Sequence, residues 1–263
     1  MPPAIEFRDL EVRVPQGRLL LDHVSLTLDE GSVTAILGRS GSGKTTLLRT
    51  VNRMIEPTAG AVLVNGRDVR EADLIALRRG MGYVIQETGL FPHFTVERNV
   101  GLVLEAEGRP REERARRSRE LLAAVGLEAN GDAYAFAARY PHQLSGGQRQ
   151  RVGLARALAA DPAILLMDEP LGALDPLTRA EMQDMLRGLL GRLKKTVLLV
   201  THDLDEALYL GDRIVLLHEG RLIADLPPEE FMQSQQAEIK TYIRAFHRGE
   251  RDARAMHARG SRS

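Results

Sequence analysis

The chain has 263 residues, with 36 Lys and Arg balanced by 36 Asp and Glu, 43% hydrophobic residues, and no Cys or Trp, an ordinary globular composition. The absence of cysteine excludes disulfides, thiolate catalysis and cysteine-based metal sites, and the balanced charge argues against holding nucleic acid by bulk electrostatics. The longest apolar runs, those ending at Met167 and Val200, are strand-length and fall far below the roughly 18–20 residues that cross a bilayer. With no charged and then apolar leader at the start, the expectation is a soluble cytoplasmic protein.

No Ser/Gly- or Pro-rich linker divides the sequence, so one compact unit with subdomains is expected. Residues 5–37 alternate apolar and polar positions around turn signals at Pro15-Gln16-Gly17 and Asp29-Glu30-Gly31, which predicts strands closing on a buried one that ends at Leu37. A glycine-rich loop and a helix over 45–55 follow, then a hairpin turning at Asn65-Gly66. From about Glu97 to Ala160 the pattern becomes helical, and the charged stretch from Glu107 to Glu120 alternates in sign as a solvated helix face does. Strand and helix then alternate: a strand ending in Asp168-Glu169, a helix over 176–193, a strand leading to His202, a helix over 204–210 and a strand ending at His218. Short, near-continuous apolar runs between helices predict a parallel sheet covered on both faces. One more helix is expected from Pro228 to about His247, followed by a frayed tail.

Chemistry enters at Gly38-Arg39-Ser40-Gly41-Ser42-Gly43-Lys44-Thr45, which follows an apolar strand and opens a helix beginning with Thr45 and Thr46. Glycines let backbone N–H groups curl around phosphates and add to the positive end of the helix. Lys44 brings a point charge to the β- and γ-phosphates, and the Thr45 hydroxyl is placed to ligate Mg²⁺. A chance match to this pattern in a chain of this length is on the order of one per cent. Asp168 and Glu169 end a buried strand, where open α/β sheets bind ligands. Adjacent strand residues point in opposite directions, so Asp168 is assigned to the metal and Glu169 to the attacking water as general base. His202 ends a second such strand and is assigned a hydrogen bond to the γ-phosphate.

The segment Leu144-Ser145-Gly146-Gly147-Gln148, just before a helix, completes a motif order that resembles the ATP-binding subunit of an ABC transporter, from about residue 5 to 245. The resemblance implies an α/β fold: a P-loop NTPase (RecA-like) parallel-sheet core with an antiparallel β subdomain and a helical subdomain at about 90–160, all within one domain over 1–245. A basic, flexible tail is expected at 246–263. It implies that Ser145, Gly146, Gly147 and Gln148 contact the γ-phosphate of ATP held by a second ATP-binding subunit, giving a head-to-tail homodimer that sandwiches two ATPs. Gln86 is similar to the glutamine that senses Mg²⁺ and the attacking water, and the following Glu87–Val96 resembles the segment that meets a transmembrane permease subunit. Gly172–Asp175 is similar to the loop linking the two sites, with Gly172 where Ser is usual. The aromatic residue on which relatives stack adenine is missing between Arg8 and Leu21, where Val14 or Pro15 takes its place, so weaker or less base-selective nucleotide binding is expected.

Within that family, segments 51–60, 82–96 and 140–152 are most similar to importers of quaternary amines such as glycine betaine, choline or carnitine. The resemblance thus implies an ATPase on the cytoplasmic face of the inner membrane, served indirectly by a solute-binding protein; many members of that branch carry paired regulatory modules, which are not expected here because few residues follow the core. Importers of methionine, polyamines or other solutes and lipid-trafficking systems remain open alternatives, as do soluble ATPases acting on DNA or ribosomes. Nucleic acid is not an expected partner.

Overall fold

The computed structural model describes residues 3–15, 17–128 and 133–246. In chain order its elements begin with β1 (Ile5–Arg13), β2 (Leu19–Leu28), β3 (Val33–Leu37), α1 (Lys44–Val51), β4 (Ala59–Val64), β5 (Arg67–Asp68), α2 (Leu74–Arg79) and β6 (Met81–Val84). A helical stretch follows, α3 (Val96–Ala106), α4 (Arg111–Ala124), α5 (Tyr134–Ala137) and α6 (Gly146–Ala157). The remainder is β7 (Ile164–Asp168), α7 (Pro176–Leu193), β8 (Thr196–Val200), α8 (Leu204–Leu210), β9 (Arg213–His218), β10 (Arg221–Leu226), α9 (Pro228–Gln233) and a last helix over 237–246.

Two sheets result. The first is antiparallel, in the order β2-β1-β4-β5, and the second has the order β10-β9-β3-β8-β7-β6. All pairings of the second are parallel except β10 on β9. Every residue of β3, β7 and β8 is buried, the pattern expected of strands covered on both faces. Successive residues still go to opposite sides: Leu165, Met167, Val197 and Leu199 join the core shared with α3, α4, α6 and α7, while Leu166, Leu198 and Val200 join the core shared with β1, β2 and α1. The sheet is thus a double-faced wall with a helical layer on one side and the antiparallel sheet with α1 on the other.

This order positions the site. β8 lies between β3 and β7, so the C-terminal ends of three strands from distant parts of the sequence stand side by side. Ligands of open parallel sheets bind at that edge.

Two local readings change. The helix expected over 45–55 ends at Val51, because the Asn52 side chain accepts the Met54 N–H at 3.2 Å and Arg53 takes a left-handed φ of 51°. The single helix expected after Pro228 is two helices parted at Ser234–Gln236, where the Ser234 hydroxyl accepts the Gln236 N–H. The charged stretch forms α4 with exposed pairs such as Arg116–Glu120, a solvated face as read. The tail's Arg248, Arg251, Arg254, Arg259 and Arg262 lie outside the described residues.

Candidate functional site

The loop from Gly38 to Gly43 leaves β3 and enters α1 at Lys44. Gly43 has φ +103°, and a Cβ there would come within 2.6 Å of the Leu20 carbonyl, so this turn admits only glycine. The loop encloses one end of a cavity of about 320 Å³ lined by Arg18, Leu20, Ser40, Gly41 and Gly43 to Thr46, with Glu169 on its far side. Lys44 is only 5% exposed, and its Nζ donates to the carbonyls of Gly38 at 2.8 Å and Arg39 at 3.1 Å. Burial holds its ammonium below the usual lysine range, opposed by the nearby charges of Glu169 and Asp168. The Ser42 hydroxyl is buried and has no partner among the described residues.

Asp168 closes β7 and is 6% exposed. Its Oδ1 accepts from the Thr45 hydroxyl at 2.8 Å, and its Oδ2 accepts from Tyr83 Oη at 3.4 Å and lies 3.6 Å from the Arg49 guanidinium. Glu169 follows in the left-handed region with φ +47°, pinned by its N–H to the Val200 carbonyl at 2.9 Å. That conformation is costly for a non-glycine residue and clusters at functional sites; here it turns the Glu169 carboxylate to within 3.2 Å of His202 Nδ1. Gln86 is exposed beyond the end of β6, and the position a Gly172 Cβ would take is 3.6 Å from Glu169 Oε2 and 3.7 Å from Gln86 Nε2.

The structure therefore gathers Gly38 through Thr46, Asp168, Glu169 and His202, with Gln86 beside them across Gly172. It does not bring Ser145, Gly146, Gly147 or Gln148 to that cavity. These residues open α6 elsewhere on the surface: the Ser145 hydroxyl accepts the Gln148 N–H at 3.2 Å, and the Gln148 side chain accepts the Ser145 N–H at 3.0 Å. A Cβ on Gly147 would meet Thr178 of α7 at 2.5 Å.

Several residues escaped the sequence reading. Arg18 and Leu20, rather than Val14 or Pro15, form the cavity wall beyond the phosphate loop. Arg49 stands four residues after Thr45, hence on its face of α1, and that spacing was a usable signal. Tyr83 pairs with Leu166 in the sheet, two residues before Asp168, and Tyr242 of the last helix donates to the His202 carbonyl at 3.2 Å. Neither could be found without the strand order and the final packing.

The segment after Gln86 is tied to the helix that Ser145 caps. Arg156 of α6 donates to the carbonyls of Thr88 at 2.6 Å and Gly89 at 2.7 Å, and burial lowers its pKa. Fully buried Asn99 of α3 accepts from the Phe91 N–H and donates to the carbonyls of Phe91, Phe94 and Thr95. An aromatic knob stands on this base: Phe91 and Phe94 lie 5.2 Å apart, His93 is 4.4 Å from Phe94, and the Arg98 guanidinium is 3.8 Å from the Phe94 ring centre. Among the described residues no helix is long and apolar enough to cross a membrane.

Comparison with known proteins agrees with this geometry. Residues 21–172 match the ABC transporter family. The chain is 47% identical over 212 residues to the osmoprotectant import ATP-binding protein OsmV of Salmonella typhimurium, covering 81% of this chain and 54% of that protein. It is 45% identical over 223 residues to the glycine betaine/carnitine/choline transport ATP-binding protein OpuCA of Bacillus subtilis, covering 85% and 57%. It thus spans little more than half the length of these relatives. Among solved structures, the ATP-binding cassette MJ0796, in a dimeric post-hydrolysis state bound to ADP and Pi, superposes with a TM-score of 0.75 at 35% identity, over 85% of this chain and 98% of that one. CbiO1 of Clostridium perfringens, part of the ABC transporter complex cbiONQ, superposes with a TM-score of 0.80 at 27% identity, over 95% and 100%. The fold is that of ABC ATPase cassettes, and the chain belongs to the ABC transporter family.

Proposed function

We propose that the chain is the ATP-hydrolysing subunit of an importer for quaternary amine osmoprotectants, working at the cytoplasmic face of the membrane beneath a separate permease. One observation carries the hydrolytic part: the phosphate loop, Asp168 and the Glu169–His202 pair stand on the adjacent ends of β3, β7 and β8. The cargo rests on the relatives named above.

The residues fit ATP and Mg²⁺. The unpartnered Ser42 hydroxyl, the loop amides and the start of α1 suit an anion, and Lys44 exchanges its two carbonyl partners for the β- and γ-phosphates. Thr45 and Asp168 supply two converging oxygens and Gln86 a third, a set that suits Mg²⁺, which takes few protein ligands alongside phosphate and water. Bound there, Mg²⁺ would neutralise charge on the phosphates. Glu169 accepts one proton from the attacking water as its oxygen bonds to the γ-phosphorus. The bond from that phosphorus to the bridging oxygen breaks, and ADP leaves with the electron pair. His202 steadies the γ-phosphate by hydrogen bonding while Glu169 holds its ring.

Ser145 to Gln148, away from the chain's own cavity, fit the γ-phosphate in a second copy, as a hydroxyl and amides at a helix start do. In that head-to-tail dimer Arg156 links the phosphate-contacting helix to the 88–98 segment, and the aromatic knob at Phe91 to Phe94 is the surface offered to the permease. The test is to purify tagged Glu169→Gln protein from detergent-solubilised native membranes with Mg²⁺ and ATP and to identify what stays bound. A polytopic permease with a binding protein for a quaternary amine is expected. Ribosomal or DNA-bound material without any membrane protein would overturn the transport reading.

A further inference from the structure

Beside Glu169 and His202 lies a small space of about 10 Å³, the size that holds one water molecule. Three pieces of the site converge on it: Glu169 and Gly172 from the loop after β7, Arg179 from α7, and the turn Thr201-His202-Asp203 with Glu206 of α8. Glu206 is 2% exposed. Its Oε2 accepts from the Thr201 hydroxyl at 2.6 Å, while its Oε1 is buried with no partner among the described residues. Arg179 donates from Nη1 to Asp203 at 3.1 Å and from Nη2 to the Leu174 carbonyl at 3.2 Å, and its Nε–H is likewise buried and unpartnered. Two orphaned polar atoms on residues lining one water-sized space are each costly alone. A single bridging molecule would satisfy both.

We propose that this space is a binding site for one water, held between Arg179 Nε and Glu206 Oε1, and that Glu206 acts through it and through Thr201 as a positioning residue for His202. The inference rests on the hydrolytic reading of Glu169 and His202. The imidazole is largely exposed, so its placement depends on the turn that carries it. That turn is built from bonds leading to Glu206: Thr201 Oγ1 donates to the carboxyl and accepts the Asp203 N–H at 3.0 Å, while Asp203 caps α8 by accepting the Glu206 N–H at 3.0 Å. The water extends this scaffold to α7, whose cap is Asp175 of the loop that resembles the link between two active sites.

The protonation state of Glu206 matters to the same scaffold. The groups facing its carboxyl are Arg179 from α7, Thr201, His202 and Asp203 from the turn, and Glu169 from the loop after β7. Burial, together with the charges of Asp203 and Glu169, pushes the carboxyl up to about 7, against the pull of Thr201 and Arg179. The neutral form keeps both hydrogen bonds without setting a third negative charge beside Asp203 and Glu169.

The test combines steady-state ATP hydrolysis of the full chain across pH with a crystal structure of the wild type. Glu206→Leu should leave KM for ATP within about two-fold and lower kcat about ten- to a hundred-fold through misplacement of His202. Glu206→Gln keeps the shape and a neutral hydrogen-bonding group. It should recover most of that rate and should lack the decline that the wild type undergoes as pH rises through 7. The crystal should show one ordered water joining Arg179 Nε to Glu206 Oε1. Wild-type turnover in a folded Glu206→Leu, an unchanged decline in Glu206→Gln, or an empty site in the crystal would each overturn the proposal. If Glu206→Leu does not fold, the pH profile of Glu206→Gln decides the matter. A wild type that hydrolyses no ATP would instead remove the hydrolytic reading, and the crystal would still decide the water site.

Discussion

The Thr45 hydroxyl donates to Asp168 Oδ1 at 2.8 Å, joining residues 123 apart in the chain. The bond ties the first turn of α1 to the end of β7, so the two oxygens proposed for Mg²⁺ converge before any ligand arrives. Thr45→Val removes this donor and leaves a buried carboxylate with only its weaker contacts to Tyr83 and Arg49. Urea unfolding without nucleotide should show a loss of about 1–3 kcal/mol, and Mg²⁺-dependent hydrolysis should fall together with it. An unchanged midpoint would mean that the bond contributes nothing.

Arg18 stands on the cavity wall beside Leu20, beyond the phosphate loop. A guanidinium is planar and stacks on aromatic faces, so Arg18→Ala should weaken ATP binding about five-fold while leaving inorganic tripolyphosphate binding unchanged. Arg18→Lys, with the charge but not the plane, should behave like Arg18→Ala. Calorimetric titration of ATP, GTP and tripolyphosphate separates stacking from phosphate attraction; equal loss for tripolyphosphate would assign Arg18 to the phosphates.

From a fully buried position Asn99 accepts the Phe91 N–H and turns its two amide hydrogens toward the carbonyls of Phe91, Phe94 and Thr95. Asn99→Ala should cost about 2–4 kcal/mol through unsatisfied groups and lost volume. It should also expose the segment to limited proteolysis ahead of global unfolding. Protection equal to the wild type would show that Asn99 does not hold the aromatic knob.

Glu206 gives stability a pH dependence of definite sign. Its carboxyl ionises near 4.5 in the unfolded chain and at about 7 in the folded one, so the folded state binds the extra proton between those values. Its contribution is fully present below about 4.5 and is lost as pH rises toward and through 7. Glu206→Gln should therefore gain on the wild type by about 2–3 kcal/mol between pH 4.5 and 8. Denaturant melts of both proteins across this range give the difference; parallel curves would place an ionised carboxylate at this position throughout.

The sequence carried much of this site because its chemistry is local. The phosphate loop needs glycines at fixed offsets, Asp168 and Glu169 end an apolar run, and Ser145 caps a helix; each signal fits within eight residues. What stayed hidden depends on which strands become neighbours. Nothing in the spacing says that β8 inserts between β3 and β7, so the contact between His202 and Glu169 and the convergence of Arg179 on Glu206 were both invisible. Local competition explains the misread helices: Asn52 and Ser234 offer the backbone side-chain partners that end a helix, and a periodic apolar pattern ran past both. Arg18 carries no local signal in the sequence, because its place on the cavity wall is set by how the β1–β2 turn packs against the phosphate loop.

In the proposed function Glu169 activates the attacking water and contributes little to holding ATP. The most direct measurement compares wild type and Glu169→Gln for ATP affinity and for phosphate release under saturating Mg²⁺ and ATP. Glu169→Gln keeps the side-chain volume and the polar contact with His202, so its affinity for ATP should match the wild type, while turnover falls by at least about a hundred-fold. Turnover at the wild-type rate would take the general base away from Glu169.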